Sequence, residues 1–255
     1  MTRHTLTRPK VSGGSALALV LVLAGCGSGG SDAEPELTVL AASSLTDVYQ
    51  GLAAGFEEEH GAEVSFSFGS STDLAEQAAD GAPGDVLSTA DATSMQAAEE
   101  AGVAGDVVEF AGNVMVIVTP AGNPAGIRSL DDLEGTTWVR CADEVPCGRV
   151  ATSVLEDNGV TAAPASLEED VRATLDKVVS GEADAGLVYA SDAVAAGDDV
   201  ETIEVPGAEK EPTTYFTTTL EQSEDADLAQ AWVDLMTSDE GRAALSEAGF
   251  TVSRP

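Results

Sequence analysis

The sequence contains few basic residues and few aromatic ones. Lys and Arg together number 11 of 255 residues, against 45 Asp and Glu, which gives a formal net charge of −34. So acidic a surface is repelled by nucleic acid and by anionic membranes, and we therefore expect no nucleic-acid partner. The acidity itself indicates a solubilising surface and carries no catalytic meaning.

Histidine is also scarce, and its scarcity argues against several kinds of enzyme. One of the two histidines lies in the N-terminal segment, and the other, His60, follows three glutamates at the end of a predicted helix. A Ser–His–Asp hydrolase needs a positioned histidine, and the chain contains no G-x-S-x-G nucleophile motif. We predict a protein that is not an enzyme and needs no cofactor; a serine-dependent hydrolase is the weakest alternative.

The N-terminal segment predicts export and attachment to lipid. A basic start precedes an apolar stretch at residues 16–23 that is too short to span a bilayer. Residues 23–26, Leu-Ala-Gly-Cys, resemble the lipobox of bacterial lipoproteins. Residues 1–25 would then be a signal peptide and Cys26 the lipidated first residue of a flexible tether at 26–36, anchored to the outer face of the cell membrane. An ordinary secretory signal with a coincidental cysteine is the alternative.

Two further cysteines, Cys141 and Cys147, are separated by five residues. An exported protein meets an oxidising exterior, so this pair can close a disulfide. A metal site is the competing interpretation, although no second pair of Cys or His lies nearby in the sequence.

Small polar residues follow several predicted strands. A strand at residues 37–40 runs into Ser44, and Asp47 three positions later completes a capping-box pattern that would place Ser44 at a helix N-cap. Ser71 and the loop that ends at Cys147 also precede predicted helices. The free N–H groups and the dipole of a helix start favour an anion. Plain helix capping is the alternative at each turn.

The alternation of strands and helices predicts an α/β fold with mainly parallel sheets. Residues 114–118 are five consecutive apolar residues, typical of a strand in a buried parallel position. Ligands of open α/β sheets bind beyond the carboxyl ends of the strands, where these turns lie.

Six segments in order resemble the periplasmic molybdate-binding protein family, the solute receptors of molybdate ABC importers: AASSLTDV, FGSSTDLAEQ, GAPGDVLSTAD, DEVPCG, EEDVRATL and GLVYASDA. The resemblance implies a type 2 periplasmic-binding-protein clamshell, with two lobes and a ligand cleft between them. Lobe one would comprise residues 37–114 and 217–255, and lobe two residues 115–216.

The resemblance also implies the oxyanion contacts. Ser44 and Ser71 would each supply a hydroxyl and a backbone N–H, Cys147 and Val171 backbone N–H groups, and Tyr189 its phenol. Three neighbouring residues would support them: Ser43, Ser70 and Asp192. Alternatively, the serines cap helices and Tyr189 is a core aromatic residue with a satisfied hydroxyl.

The implied function is the capture of molybdate or tungstate by a monomer that delivers the anion to the membrane permease of an ABC importer. A fully ionised tetrahedral dianion offers acceptors alone, so a shell of hydroxyls and amides suits it. Molybdenum would be bound only as its oxyanion, through the residues named above. A receptor of the same fold for another oxyanion, such as sulfate, is the principal alternative.

Overall fold

The computed structural model describes residues 34–252, which form two five-stranded sheets with helices packed against them. The α/β fold class is thereby confirmed. The predicted signal peptide, Cys26 and most of the predicted tether lie outside the described residues. The first strand begins at Glu36, so the last residue of the predicted tether belongs to the sheet. No helix within residues 34–252 is long and apolar enough to cross a membrane.

The strands, in chain order, are β1 (Glu36–Ala42), β2 (Glu63–Gly69), β3 (Val86–Thr89), β4 (Val108–Asn113), β5 (Met115–Pro120), β6 (Trp138–Cys141), β7 (Ser166–Glu168), β8 (Ala185–Tyr189), β9 (Val200–Glu204) and β10 (Thr213–Thr219). The helices are α1 (Thr46–His60), α2 (Ser71–Ala79), α3 (Ala92–Glu100), α4 (Pro146–Asp157), α5 (Val171–Val179), α6 (Ala190–Ala196), α7 (Ala226–Thr237) and α8 (Asp239–Glu247).

Both sheets are mixed, which corrects the prediction of mainly parallel sheets. The first has the order β2-β1-β3-β10-β4 and the second β7-β6-β8-β5-β9. In each, the pairs on one side are parallel and those on the other antiparallel. The strand predicted at residues 114–118 is β5, which pairs antiparallel with both β8 and β9. Its apolar run reflects burial on both faces and carries no information about strand direction.

We call the first sheet with α1, α2, α3, α7 and α8 lobe one, and the second sheet with α4, α5 and α6 lobe two. The chain passes from lobe one to lobe two between β4 and β5, where Val114 alone separates the strands, and returns before β10. All of β10 pairs within the first sheet, so residues 213–216 lie in lobe one, whereas the sequence analysis placed them in lobe two.

Each lobe has its own apolar core. In lobe two, Ile117, Trp138 and Leu187 are buried at the centre of the sheet. In lobe one, the last two helices pack back on the first, with the Trp232 ring 5.3 Å from that of Tyr49. Apolar packing is thus completed inside each lobe.

Candidate anion-binding site

The five residues predicted to contact an oxyanion line one small cavity between the lobes. Lobe one contributes the ends of β1 and β2 with the turns that follow them, and lobe two contributes the starts of α4 and α5 and the end of β8. The cavity has a volume of about 20 Å³, room for about one water molecule as the lobes stand. Its lining includes Ser44, Ser71, Cys147, Val171 and Tyr189, and also the expected supporting residues Ser43 and Ser70.

Ser44 does not cap a helix, so the predicted capping box is wrong. A 3-10 turn, Ser43–Leu45, intervenes between β1 and α1, and the N-cap position of α1 is Leu45. The Ser44 hydroxyl lies instead 2.8 Å from the phenol oxygen of Tyr215, in the buried interior of lobe one. The Asp47 carboxylate, its expected capping partner, forms an ion pair with Arg172 of lobe two.

Ser71 is the first residue of α2, and its hydroxyl oxygen accepts a hydrogen bond of 2.9 Å from the Ala90 N–H. A serine that accepts in this way keeps its own proton free to donate. Ser70 precedes it at the N-cap, where its buried hydroxyl has no hydrogen-bond partner within residues 34–252. Lobe one therefore presents hydroxyl groups with unused donor capacity.

Lobe two contributes peptide N–H groups from two helix starts. Helix α4 begins at Pro146, and its first bond runs from the Arg149 N–H to the Val145 carbonyl at 3.0 Å, which leaves the Cys147 N–H without an acceptor in the described part of the chain, residues 34–252. In α5 the N-cap Asp170 uses its carboxylate to accept from the Ala173 N–H at 2.9 Å. The Val171 N–H, one residue after this cap, likewise has no acceptor among the residues that the structure describes.

Tyr189 ends β8, and its side chain is 1% exposed. Its hydroxyl has no hydrogen-bond partner among the described residues, so the alternative of a satisfied core aromatic does not apply. Burial raises the pKa of the Tyr189 phenol well above its ordinary value. The group is thus a neutral donor at physiological pH.

Asp192 supports Tyr189 from the first turn of α6. One carboxylate oxygen accepts from the Tyr189 N–H at 3.1 Å, and the other lies 3.2 Å from Nε of Arg172 without the alignment of a hydrogen bond. Burial outweighs the attraction of Arg172 and raises the pKa of Asp192 to about 7.

The predicted disulfide between Cys141 and Cys147 is confirmed, with the two Cα atoms 5.7 Å apart. It joins the end of β6 to the start of α4 and so fixes the loop that presents the Cys147 N–H. The competing metal site finds no support, because residues 34–252 contain no cluster of three or more His, Cys, Asp or Glu suited to a metal ion.

Sequence reasoning missed two ion pairs that join the lobes on either side of the cavity. Arg149 of α4 binds Asp91 of lobe one, with Nη2 and Oδ2 2.6 Å apart, and Arg172 of α5 binds Asp47. The paired residues are 58 and 125 positions apart, so no local pattern links them. Each pair matches one positive with one negative charge, and neither arginine is among the residues that line the cavity.

Comparisons by family profile, by sequence and by structure all match this chain to bacterial binding proteins. A family profile described as bacterial extracellular solute-binding protein matches residues 37–251. The molybdate-binding protein ModA of Mycobacterium tuberculosis H37Rv is 36% identical over 244 residues, which cover 91% of this chain and 94% of the relative. The periplasmic molybdate-binding protein of Azotobacter vinelandii has a TM-score of 0.76 at 22% identity, over 86% of this chain and all of that one. The sulfate-binding protein SubI of M. tuberculosis H37Rv has the same TM-score, 0.76, at 20% identity, over 87% and 88% of the two chains.

Proposed function

The chain belongs to the bacterial extracellular solute-binding proteins, in the group that includes the molybdate-binding protein ModA, and from this membership we propose that it captures molybdate outside the cytoplasm. It delivers the anion, as a monomer, to the membrane permease of an ABC importer. Tungstate, which has the same charge and nearly the same radius, binds the same cavity. The protein uses no cofactor, and molybdenum enters it only as the oxyanion.

The observation that carries the proposal is the set of unused donors around one cavity. The Tyr189 phenol and the N–H groups of Cys147 and Val171 lack acceptors among residues 34–252. A buried donor without a partner costs about 1–3 kcal/mol, so a site with several such donors is stabilised by an occupant that accepts from all of them. A tetrahedral dianion without protons is such an occupant.

The cavity lining has no free carboxylate among the described residues that would repel a bound dianion. The cavity lining includes Asp170, but its side chain is engaged as the N-cap of α5. A protonated oxyanion such as hydrogen phosphate would need an acceptor for its proton, and the lining offers no free carboxylate for that purpose among the described residues. The donor set therefore favours molybdate, tungstate and sulfate over phosphate.

The first test is the effect of the two serine hydroxyls on affinity. Ser44→Ala and Ser71→Ala should each weaken molybdate binding by about 1.5–3 kcal/mol, the usual value for a hydrogen bond to a charged group. Isothermal titration calorimetry of the mature protein measures this directly. Ser88→Ala is the matched control, because Ser88 is a fully buried serine of lobe one that does not line the cavity. Wild-type affinity in both cavity variants would contradict the proposal.

Sulfate is the second candidate, favoured by the structural similarity to SubI. Molybdate and sulfate have the same charge and shape, so hydrogen-bond type cannot distinguish them and size must. We expect the larger anion to reach donors of both lobes at once, whereas sulfate leaves some of them unpaired. Calorimetry with molybdate, tungstate, sulfate and phosphate should show two tight and two weak ligands. Sulfate binding as tight as molybdate binding would instead assign the protein to sulfate.

We propose, from the sequence, that Cys26 is lipidated and holds the protein at the outer face of the membrane. Cys26→Ser should leave the protein unprocessed or release it into the medium, because the thiol that carries the lipid is lost. Fractionation of the native host followed by mass spectrometry of the N-terminus measures both outcomes. A cleaved Cys26→Ser protein that stays in the membrane fraction would rule out the lipid anchor.

A further inference from the structure

We propose that Tyr215 is a positioning residue for the bound oxyanion: its phenol donates to the Ser44 hydroxyl and thereby directs the Ser44 proton into the cavity. The proposal rests on the proposed function, since it concerns the same site. Tyr215 does not line the cavity; its ring lies edge-on to that of Tyr189 at 6.4 Å between centroids, and its phenol would act through the Ser44 hydroxyl.

The Ser44 hydroxyl carries a single proton. This oxygen lies 2.8 Å from the phenol oxygen of Tyr215, and either group could donate. If Ser44 donated to Tyr215, it would offer the anion only lone pairs, which repel it. Ser44 can bind an oxyanion through its hydroxyl only when Tyr215 donates and Ser44 accepts.

Ser71 has the same arrangement, but there the direction of the hydrogen bond is fixed. Its hydroxyl accepts from the Ala90 N–H at 2.9 Å, and a peptide N–H is always the donor. Ser44 and Ser71, the two serines proposed to contact the anion, thus each accept a hydrogen bond from a group of the protein. At Ser44 the phenol takes the place that a peptide N–H takes at Ser71.

The surroundings of Tyr215 hold its phenol in place. The residue is fully buried, and its ring packs edge-on against Phe250 and Phe110 at centroid distances of 5.2 and 6.1 Å. It also stands next to a break in strand register between β10 and β4, a feature that commonly redirects a side chain beside a binding site. Burial raises the pKa of the Tyr215 phenol, so the donor proton is retained at physiological pH.

A second Tyr–Ser pair in lobe one provides the matched comparison. Tyr49 donates to Ser88 at 2.8 Å, and Ser88 donates onward to Thr217 at 2.9 Å. The proton of the Ser88 hydroxyl is therefore used in a hydrogen bond within the protein. The Ser44 hydroxyl has no hydrogen bond other than that with Tyr215 within residues 34–252, so its proton is available to a ligand.

The test is a double-mutant cycle measured by calorimetry with sodium molybdate. Tyr215→Phe should weaken binding by about 3- to 10-fold, the value of one net hydrogen bond. In a Ser44→Ala background the same change should alter affinity by less than about 2-fold, because the residue through which Tyr215 acts is gone. Tyr49→Phe loses an equally buried Tyr–Ser bond and should keep wild-type affinity.

The outcomes separate this inference from the proposed function. The role of Tyr215 would be overturned if Tyr215→Phe weakened molybdate affinity equally with and without the Ser44 hydroxyl, or if Tyr49→Phe weakened it as much. In either case the proposal of molybdate binding would stand. Absence of oxyanion binding by the wild-type protein would overturn both. If Tyr215→Phe fails to fold, proton NMR of the wild-type protein decides: the Tyr215 hydroxyl proton should move downfield when molybdate is added, and an unchanged position would refute the proposal.

Discussion

Replacing Gly148 with alanine is expected to destabilise the protein by about 3 kcal/mol and to weaken molybdate binding by at least about 10-fold. Gly148 lies in the first turn of α4, directly after Cys147. A Cβ atom at this position would overlap the carbonyl group of Ala142 and lie 3.0 Å from the carbonyl oxygen of Cys141. These are backbone atoms, which cannot rotate away as a side chain can.

The disulfide prevents the loop from moving as a whole, because it holds the end of β6 to the start of α4 on both sides of the overlap. The added methyl group must therefore displace the helix start, and with it the Cys147 N–H that faces the cavity. Urea denaturation measures the stability change and calorimetry the affinity change. Gly51→Ala is the control: it is a glycine of α1 with no heavy atom within 4 Å of the added Cβ, and should gain about 0.5–1 kcal/mol from helix propensity. Wild-type stability and affinity in Gly148→Ala would show that the loop is not fixed.

The local elements of the fold could be predicted because their signals are local. The strand predicted at residues 37–40 is part of β1, and the helices predicted to follow Ser71 and the loop that ends at Cys147 are α2 and α4, of which α4 already begins at Pro146. The strand β7 was not predicted. This strand has three residues, and its one large apolar side chain, Leu167, is 49% exposed, so it has no apolar periodicity to detect.

What the sequence could not predict depends on residues far apart in the chain. The Ser44–Asp47 spacing fits a capping box, but Ser44 contacts a phenol 171 positions later, and Asp47 pairs with an arginine of the other lobe. The prediction that β5 runs parallel to its neighbours was wrong for a related reason. A buried strand looks alike whether its neighbours are parallel or antiparallel, and the direction of β5 relative to its neighbours follows from its pairing with β8 and β9, which lie far along the chain.

The turns that hold the candidate site were partly predictable, because Ser71 and the loop that ends at Cys147 each precede a helix. The binding residues themselves, Val171 and Tyr189 among them, were named through the family resemblance, and the folded chain brings them to one cavity. The groups behind them were not predictable. Tyr215 reaches Ser44 from β10, and Arg172 of α5 approaches Asp192 of α6, through contacts that only the folded chain makes.

The second large effect concerns Asp192 and the dependence of stability on pH. Burial raises the pKa of this carboxyl from its ordinary value of 3.8 to about 7. Between these values the folded protein holds a proton that the unfolded chain has lost, so the free energy of unfolding falls as pH rises from about 4 to about 7. Each pKa unit corresponds to about 1.36 kcal/mol, so the contribution of Asp192 is at most about 4 kcal/mol.

Asp192→Asn should remove this contribution. The charges around Asp192 act in both directions, since Arg172 favours its ionised form whereas Asp170 and Asp47 disfavour it. Unfolding by urea at pH 4 to 8 should show the variant gaining stability relative to wild type as pH rises, by up to about 4 kcal/mol. Asp143→Asn is the contrasting control, because Arg140 lowers the pKa of that exposed carboxyl and its effect therefore changes only as pH falls below about 4. A constant difference between Asp192→Asn and wild type over pH 4 to 8 would mean that Asp192 stays ionised in the folded protein, with Arg172 fully compensating its burial.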